Sequence, residues 1–342
     1  MKKDQSKLHL IGNKMVKSSI VEDKTMPEKQ EIQEWYGRNA RVMHGDSDCL
    51  VERYECQGKG LIVTYKVFEG MEMVFMEFNS EDSFIPVTPY SEILEISCCR
   101  RGRVVCEFSD NICAHLSEDD FWIGSGGYLP TSYYFPFGYF DAVTLVIDEK
   151  KMSLSTKKLL ADFSIDIKAI GKKLALNTSW YIGKMPCKLQ RLFDEIYEAK
   201  GKESTCYFAI KTLELLFQIQ NVERSDAEGE QYYPKDQIEA VKEIWNYLIA
   251  HLDEERSLKQ LVKEKNMGTT MFQRIFYHVY GDSPYAFLKK YKMGIAKKMI
   301  LDGEMKIGEI AFSLGYSNAS KLSAAFKDVF GILPKDYRKL RS

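Results

Sequence analysis

The hydrophobic pattern of this 342-residue chain changes its period near Lys150, and that change constrains the fold more than any other feature. Between Gly60 and Asp148, short runs rich in Val, Ile, Phe and Tyr alternate near period two and are separated by turn residues such as Gly70 and Gly102. Six runs predict strands, at 61–68, 71–78, 93–99, 104–108, 121–123 and 143–147. Runs of this length and spacing are typical of an all-β sandwich or small barrel.

After Lys150, apolar residues recur at helical spacing and predict helices at 155–163, 185–199 and 204–222. The third segment is apolar on more than one face, through Leu213, Leu215, Leu216, Phe217 and Ile219. Two interpretations stay open: these residues form the main contact of a homodimer, or the segment is a buried core helix. Surplus apolar surface of this kind is unusual in monomers, which favours the dimer.

The segment from residue 224 to 235 has no apolar periodicity, and charged and turn residues dominate it up to Pro234. This composition predicts an interdomain linker. Beyond the linker, an amphipathic helix is followed by two short helices with a tight turn between them. Ser257 is a predicted cap of the first short helix, Gly268 lies in the turn, and the second short helix begins at Thr269. Such a pair forms a helix-turn-helix.

The same pattern then returns further along the chain. Ser283 and Pro284 suit the start of a long basic helix, which Gly303 ends. A second pair of short helices follows, with Gly315 in its turn and Asn318 at the start of its second helix. The first residues of the two second helices are 49 positions apart. Tandem units of this kind suit two successive major grooves, which are roughly 34 Å apart.

The formal net charge of −1 conceals an asymmetry. Residues 256–342 hold 17 Lys and Arg against 7 Asp and Glu, a net charge of +10, and the rest of the chain has a net charge of −11. A basic module on an acidic chain is typical of phosphate-backbone binding. A lysine-rich solvated helix face would give a similar count, so the charge alone leaves both interpretations open.

Several other classes of protein are disfavoured. No stretch approaches the roughly 18 apolar residues of a membrane span, and the polar N-terminus does not suit a secretory signal, so a cytoplasmic protein without a membrane partner is expected. None of the eight cysteines forms a C-x-x-C pair. Cys98 and Cys99, with Cys106 and Cys113 nearby, are either a sensor of metal or oxidant or small hydrophobes on strands.

Residues 236–341 resemble the DNA-binding domain of the AraC/XylS family. The marks of the resemblance are Ile310-Ala311, Gly315-Tyr316, Phe326-Lys327, Phe330-Gly331, Pro334 and Tyr337-Arg338. It implies that the exposed faces of both second helices read double-stranded DNA in the major groove. The implied contact residues are Thr269, Thr270, Gln273 and Arg274 in the first unit, and Asn318, Ala319, Ser320, Lys321, Ala324 and Lys327 in the second.

Four positions depart from the family pattern. Ala324 stands where an arginine is common and Leu322 where an aromatic residue is frequent. Val262 stands where the family mostly has alanine, and Gly268 where a serine cap is usual. Arginine suits guanine and glutamine suits adenine by bidentate hydrogen bonds. We therefore expect the first unit to read more sequence, with Arg274 and Gln273, and the second to rely more on phosphate contacts.

The resemblance also implies a regulatory domain ahead of the DNA reader, often a cupin-like β-barrel followed by dimerisation helices. Segments 64–75, 94–108 and 133–148 resemble the subgroup of pyochelin-responsive regulators, which implies a siderophore or another small amphipathic effector. Four aromatic residues are candidates for the mouth of its pocket: Tyr133, Tyr134, Phe137 and Tyr139. Packing at a strand edge or against a helix is the other interpretation.

The weighed alternative is a metal-dependent cupin enzyme with a DNA-binding tail. Such sites need two or three histidines, whereas His115 is the one histidine between residues 60 and 148. We therefore predict no catalysis, no cofactor and no metal.

The predicted architecture is an α+β multidomain protein. It comprises a polar or helical segment (1–59), a cupin-like β regulatory domain (60–150), a helical dimerisation region (151–223), a linker (224–235) and an all-α tandem helix-turn-helix domain (236–342). The predicted function is a homodimeric, ligand-responsive activator, for which RNA polymerase is a further possible partner.

Overall fold

The computed structural model describes residues 40–54, 59–79, 93–118, 120–223, 232–253 and 257–339. The chain divides into two compact units. The β unit comprises Gln33–Glu243 and Val262–Ser283. The helical unit comprises Ile244–Leu261 and Pro284–Ser342, with Met1–Ile32, which lie outside the described residues. The helix-turn-helix pattern is therefore divided, because the second helix of the first pair belongs to the β unit.

The described strands of the β unit form one antiparallel sheet. They are β1 Ala40–Gly45, β2 Cys49–Tyr54, β3 Lys59–Phe68, β4 Met71–Asn79, β5 Ile93–Glu107, β6 Ile112–Ser117, β7 Asp120–Ser125, β8 Ser132–Tyr134, β9 Phe140–Asp148, β10 Tyr181–Lys184 and β11 Tyr232–Pro234. The order is β1-β2-β3-β4-β9-β5-β6-β11, with β7 and β8 on β5 and β10 on β7. No described pairing joins the two ends of this order, so the sheet is not closed and the predicted barrel is not confirmed.

Strand β5 spans two of the predicted strands, 93–99 and 104–108. Its register shifts between Cys99 and Arg101, and its first part pairs with β7 and β9 whereas its last residues pair with β6 and β8. Gly102 has a φ of +89°, and a Cβ there would collide with the carbonyl oxygen of Tyr139. The polar residues between the two runs are therefore a bulge in one strand rather than a turn between two.

Two predicted boundaries are corrected by the strands at the ends of the β unit. The segment 1–59, predicted to be polar or helical, contains β1 and β2. The predicted linker 224–235 ends in β11, which pairs with β6, and Tyr233 is buried there. Tyrosine favours strands, so the two adjacent tyrosines extend the sheet. Residues 224–231 of the predicted linker lie outside the described residues.

Four described helices cover one face of this sheet: α1 Leu154–Asp162, α2 Ile167–Lys173, α3 Cys187–Ala199 and α4 Thr205–Ile219. Phe208 of α4 packs on Tyr65 and Phe75, with ring centroids 4.3 and 5.6 Å apart. The short helix α2 was not predicted from the sequence.

The predicted dimer residues of α4 do not share one environment. Leu215, Leu216 and Ile219 are fully buried in the core of the β unit, and Leu213 is partly buried against it. Phe217 is 53% exposed. The core-helix interpretation therefore describes the three fully buried residues, whose side chains are not available to a partner.

The opposite face of the sheet, here called the inner face, packs against the last part of β5, β6 and the segment around Phe135. Its apolar residues form a second core cluster, which includes Ile62, Val74, Phe78, Cys99, Cys106, Phe108, Ala114, Leu116, Trp122, Phe140 and Trp180. The sheet is therefore buried on both faces.

The remaining described helices are α5 Lys235–Ala250, α6 Leu258–Glu264, α7 Thr269–Tyr280, α8 Pro284–Asp302, α9 Ile307–Ser313, α10 Ala319–Phe330 and α11 Pro334–Lys339. The division between the units falls inside α5 and α6, and α7 belongs to the β unit. In the helical unit, α8, α9 and α10 share a core whose fully buried residues include Met293, Ile300, Ile310, Leu322 and Phe326. None of the described helices is long and apolar enough to cross a membrane.

Candidate nucleic-acid interface

The turn after α6 and the turn after α9 have the same backbone geometry. In the first, Asn266 has a φ of +53° and its N–H donates to Lys263 O, at 3.0 Å. In the second, Gly315 has a φ of +70° and its N–H donates to Phe312 O, at 3.0 Å. The next residue in each turn donates its N–H to the carbonyl five residues before it. Met267 N–H donates to Val262 O at 3.2 Å, and Tyr316 N–H donates to Ala311 O at 2.8 Å. The duplication predicted from the pattern therefore extends to individual hydrogen bonds.

The two turns differ in length by one residue. Equivalent turn residues are 49 positions apart, as Asn266 and Gly315 are. Equivalent helix ends are 50 positions apart: Gly268 and Asn318 are the N-caps, and Gly281 and Gly331 are left-handed C-caps, each with a φ of +74°. The predicted spacing of 49 between the second helices is therefore 50.

The caps of the helices follow the sequence prediction. The Ser257 hydroxyl accepts from the N–H of Gln260, at 3.3 Å, and the Gln260 side chain accepts from the N–H of Ser257, at 3.2 Å. This reciprocal pair is a capping box. The Asn318 side chain accepts from the N–H of Lys321, at 2.9 Å, whereas Gly268 has no side chain to cap α7.

Helix α7 buries one face and exposes the other. The predicted contact residues Thr269, Thr270, Gln273 and Arg274 are all exposed. Tyr277 is 54% exposed and continues the same face. Sequence reasoning missed this tyrosine, although its spacing of three and four residues from Arg274 and Gln273 was a usable signal.

The guanidinium of Arg274 has two neighbours within the β unit. Its Nη2 lies 3.3 Å from Met271 Sδ, and its Cζ lies 5.7 Å from the centroid of the Tyr233 ring. A guanidinium at that distance from an aromatic ring makes a weak cation–π contact. The arginine best suited to read a guanine is therefore exposed and also adjoins the sheet strand β11.

The exposed face of α10 has shorter side chains. The predicted residues Asn318, Ser320, Lys321, Ala324 and Lys327 are exposed, and Ala319 is half-buried. At the 50-residue offset, Ala324 is equivalent to Arg274, Lys327 to Tyr277, and Ser323 to Gln273. Ser323 was not among the residues predicted from the sequence. The second face therefore has two lysines but no long side chain suited to bidentate base contacts at these equivalent positions.

Much of the positive charge of α8 is used inside the helical unit. Lys292 donates to Leu252 O at 2.9 Å, and desolvation by burial lowers its pKa. Lys289 pairs with Asp328, and Lys297 lies over the ring of Phe330, at 5.3 Å. The net charge of +10 therefore overstates the positive charge that is available for contacts with DNA phosphates.

The C-terminal end of α7 packs on the sheet of the β unit. Arg103 Nη1 of β5 donates to His278 O at 2.6 Å, and the hydroxyl of Tyr233 lies 2.6 Å from His278 Nδ1. The rings of His115 and His278 stack with centroids 4.4 Å apart. Desolvation is the main influence on Arg103 and lowers its pKa. We call this set of four residues the α7 dock.

The four predicted effector residues have different environments. Tyr133 packs against the inner-face cluster, and Lys242 Nζ lies 3.8 Å from the centroid of the Tyr134 ring. Phe137 and Tyr139 contact each other, with centroids 5.9 Å apart. Elsewhere, a surface cleft of about 740 Å³ beside α1 and α2 is lined by apolar residues, by Lys150, Lys157 and Lys168, and by Glu149 and Asp166.

The vicinal cysteines lie on opposite faces of β5, since Cys98 joins the helix-covered core and Cys99 the inner face. Desolvation by burial raises the pKa of the Cys99 and Cys106 thiols well above the usual value. Such thiols are poor nucleophiles, which favours the hydrophobic interpretation. Among the described residues, no group of three or more His, Cys, Asp or Glu could hold a metal ion.

Comparison with known proteins agrees with this geometry for the C-terminal region. Residues 261–340 match a helix-turn-helix domain family. The chain is 33% identical over 81 residues to the virulence regulon transcriptional activator VirF of Yersinia enterocolitica, over 24% of this chain and 30% of VirF. It is 39% identical over 59 residues to an AraC-like transcription regulator of Streptomyces lividans, over 17% of this chain and 19% of that protein.

A solved structure, the C-terminal domain of the response regulator AraT from Geobacillus stearothermophilus, is 28% identical. The match covers 30% of this chain and 85% of that one, with a TM-score of 0.29. The chain thus spans less than a third of the length of these two curated relatives. The C-terminal region of the chain is therefore similar in sequence to a helix-turn-helix domain family, and the chain shares segments of 59 and 81 residues with two transcription regulators, one of them AraC-like.

Proposed function

We propose that the whole chain is a sequence-specific regulator of transcription that inserts α7 and α10 into successive major grooves of promoter DNA. The observation that carries the proposal is the repetition of one turn geometry at two places, each followed by a helix with an exposed face. In helix-turn-helix proteins the second helix enters the major groove. A DNA-binding regulator acts where the chromosome is, so we expect it in the cytoplasm.

The two helices have different parts in this proposal. Arg274 and Gln273 of α7 make bidentate contacts to base edges, and Tyr277 extends that face. Lys321 and Lys327 of α10 contact phosphates, which fix position rather than sequence.

The β unit controls α7 through the α7 dock. A small amphipathic effector in the β unit changes how β5 and β11 hold Arg103, Tyr233 and His278, and thereby the orientation of the reading helix. Coupling of this kind needs only about 1–3 kcal/mol. The resemblance to the pyochelin-responsive subgroup supports a small amphipathic effector and an activator that works with RNA polymerase.

We also propose a homodimer, formed through the exposed stripe of α4. Ile210 is 66% exposed and Phe217 53%, and Leu213 lies between them on the same face. Joining two readers makes the second DNA contact intramolecular and raises affinity. In sedimentation of the full chain, Ile210→Glu with Phe217→Glu should give a monomer, and Lys188→Glu on the exposed face of α3 should not.

Selection of binding sites from a random duplex pool tests the proposed function. The full chain should enrich one asymmetric or direct-repeat motif with two blocks about 10 base pairs apart. Failure to enrich any motif at moderate salt would contradict the proposal.

A further inference from the structure

Three polar side chains form a diagonal line across the inner face of the sheet. Glu52 of β2 is directly opposite Ile62, Thr64 of β3 is opposite Val74, and Glu72 of β4 lies two residues before Val74. Residues directly opposite each other in antiparallel strands share a face, and their diagonal neighbours are within reach of long side chains. The three polar groups therefore lie on one face, among the apolar residues of the second core cluster.

Two of these side chains are buried without a hydrogen-bond partner among the residues that the structure describes. Glu52 and Thr64 are fully buried, and the atoms without such a partner are both carboxylate oxygens of Glu52 and the hydroxyl of Thr64. An unpaired buried polar group is costly, and a buried charge is more so. Together these atoms offer three hydrogen-bond acceptor sites to a group that none of the described residues supplies.

The charges facing this line are mostly negative. Desolvation, and then the charge of Glu72, raise the pKa of Glu52 to about 7. Burial also raises the pKa of Glu95, on the same face of β5, to about 7. Among the described residues, the other titratable groups on this face include the Cys99 and Cys106 thiols and the hydroxyls of Tyr128, Tyr133 and Tyr232. Lys66 of β3, directly opposite Glu72, is exposed.

We propose that the inner face binds a primary amine with an apolar body, and that this amine is the effector of the regulator. An ammonium group has three N–H donors, which match the two oxygens of Glu52 and the hydroxyl of Thr64. Glu72 adds a favourable charge, and Ile62 and Val74 pack on the apolar body. This inference rests on the proposed function for its regulatory meaning, but the binding site stands on the described residues of the sheet.

Other ligand classes fit this face less well. A carboxylate ligand would meet the like charges of Glu52, Glu72 and Glu95. A divalent cation such as Ca²⁺ prefers six to eight oxygen ligands, and the described residues offer no group of three carboxylate, thiol or imidazole donors.

The test uses the full chain and a fixed set of probes: hexylamine and 2-phenylethylamine, with hexanoate, 3-phenylpropionate and CaCl₂ as comparisons. Calorimetry should detect amine binding, and Glu52→Gln should weaken it roughly 10- to 100-fold, as loss of a charged hydrogen-bond partner does. Thr64→Val should weaken it less. Glu69→Gln, an exposed glutamate in the turn after β3, is the matched control and should bind as the wild type does.

Proton release gives a second readout. At about pH 6.5 most Glu52 is protonated before binding, and pairing with an ammonium ionises it, so binding should release up to one proton per site. This release, measured in buffers of different ionisation enthalpy, should disappear in Glu52→Gln. The proposal is overturned if neither amine binds, if Glu52→Gln binds as the wild type does, or if hexanoate, 3-phenylpropionate or Ca²⁺ bind instead.

The same protein then separates this inference from the proposed function. Amine binding is measured without DNA, and DNA binding is measured without amine on the motif enriched from a random pool. If the protein bound amine but enriched no DNA motif, the proposed regulatory function would be contradicted and the proposed amine site would stand. If the protein enriched a DNA motif but bound no amine, only the proposed amine site would be contradicted.

Discussion

The two helix-turn-helix pairs have the same backbone and different surroundings. Helix α7 belongs to the β unit, lacks a side-chain cap and presents Gln273, Arg274 and Tyr277. Helix α10 belongs to the helical unit, is capped by Asn318 and presents serines, alanines and two lysines. The duplication therefore preserved the scaffold, whereas the exposed faces diverged. In our account, α7 reads sequence under the control of the sheet, and α10 holds the DNA.

The largest effects should come from the cores below the two reading helices. Phe276 and Phe326 occupy equivalent positions and are both fully buried. Replacing either by alanine should cost about 3–5 kcal/mol of the free energy of unfolding. Hydrogen exchange should show loss of protection in α8–α10 for Phe326→Ala, and in α7 for Phe276→Ala. If Phe326→Ala removed protection from β3, β4 and β9 instead, the division into two units would be wrong.

The next effect concerns the two reading faces themselves. Arg274→Ala should relax specificity at one base pair by about 1–3 kcal/mol, because a bidentate arginine–guanine contact is lost. Ala324→Ser, at the equivalent position of α10, is the control and should leave the selected motif nearly unchanged. The measurement is site selection with each variant. An unaltered motif with Arg274→Ala would remove α7 from the role of base reader.

A smaller effect separates the two caps. Asn318→Ala removes the side-chain cap of α10 and should cost about 1 kcal/mol. Gly268→Ser should stabilise α7 by a few tenths of a kcal/mol, because a Cβ at Gly268 meets no atom within 4 Å. Chemical denaturation of both variants measures the two changes. The cap assignment would be contradicted if Asn318→Ala and Gly268→Ser changed the free energy of unfolding by equal and opposite amounts of more than about 1 kcal/mol.

The smallest effect distinguishes phosphate contacts from base contacts. Lys327→Ala should weaken all DNA sequences alike and lower the slope of log affinity against log salt by about 0.9, the value for one phosphate contact. The control is Lys157→Ala on α1, exposed and far along the chain from the DNA reader. Tyr277→Phe, at the equivalent position of α7, should leave the slope unchanged. A change of motif with Lys327→Ala would assign this lysine to base reading.

The helical C-terminal region could be predicted closely because its signals are local. Ser257, Pro284, Gly303 and Gly315 act at helix ends through their own backbone and side chains, and each lies where the sequence placed it. The one-residue difference between the turns was not predictable, because both turns obey the same apolar pattern.

The β unit was less predictable because its pairing is non-local. Strand β11 depends on β6, more than a hundred residues earlier, and a polar bulge joins two predicted strands into β5. The line of Glu52, Thr64 and Glu72 across the inner face could not be anticipated, since Glu52 lies in a segment predicted to be polar or helical. Burial of Leu215, Leu216 and Ile219 likewise depends on a sheet that the helix sequence does not reveal.

Hydroxyl-radical footprinting on the selected duplex tests the central claim most directly, namely that α7 reads sequence and α10 holds phosphates. The wild type should protect two regions about one helical turn apart on the same side of the DNA. In one region, Arg274→Ala should protect the selected duplex and a duplex with its base pair changed about equally, whereas the wild type should protect the selected duplex better. In the other region, Lys327→Ala should weaken protection for every sequence. A single protected region, or two regions that respond identically to both variants, would contradict the account.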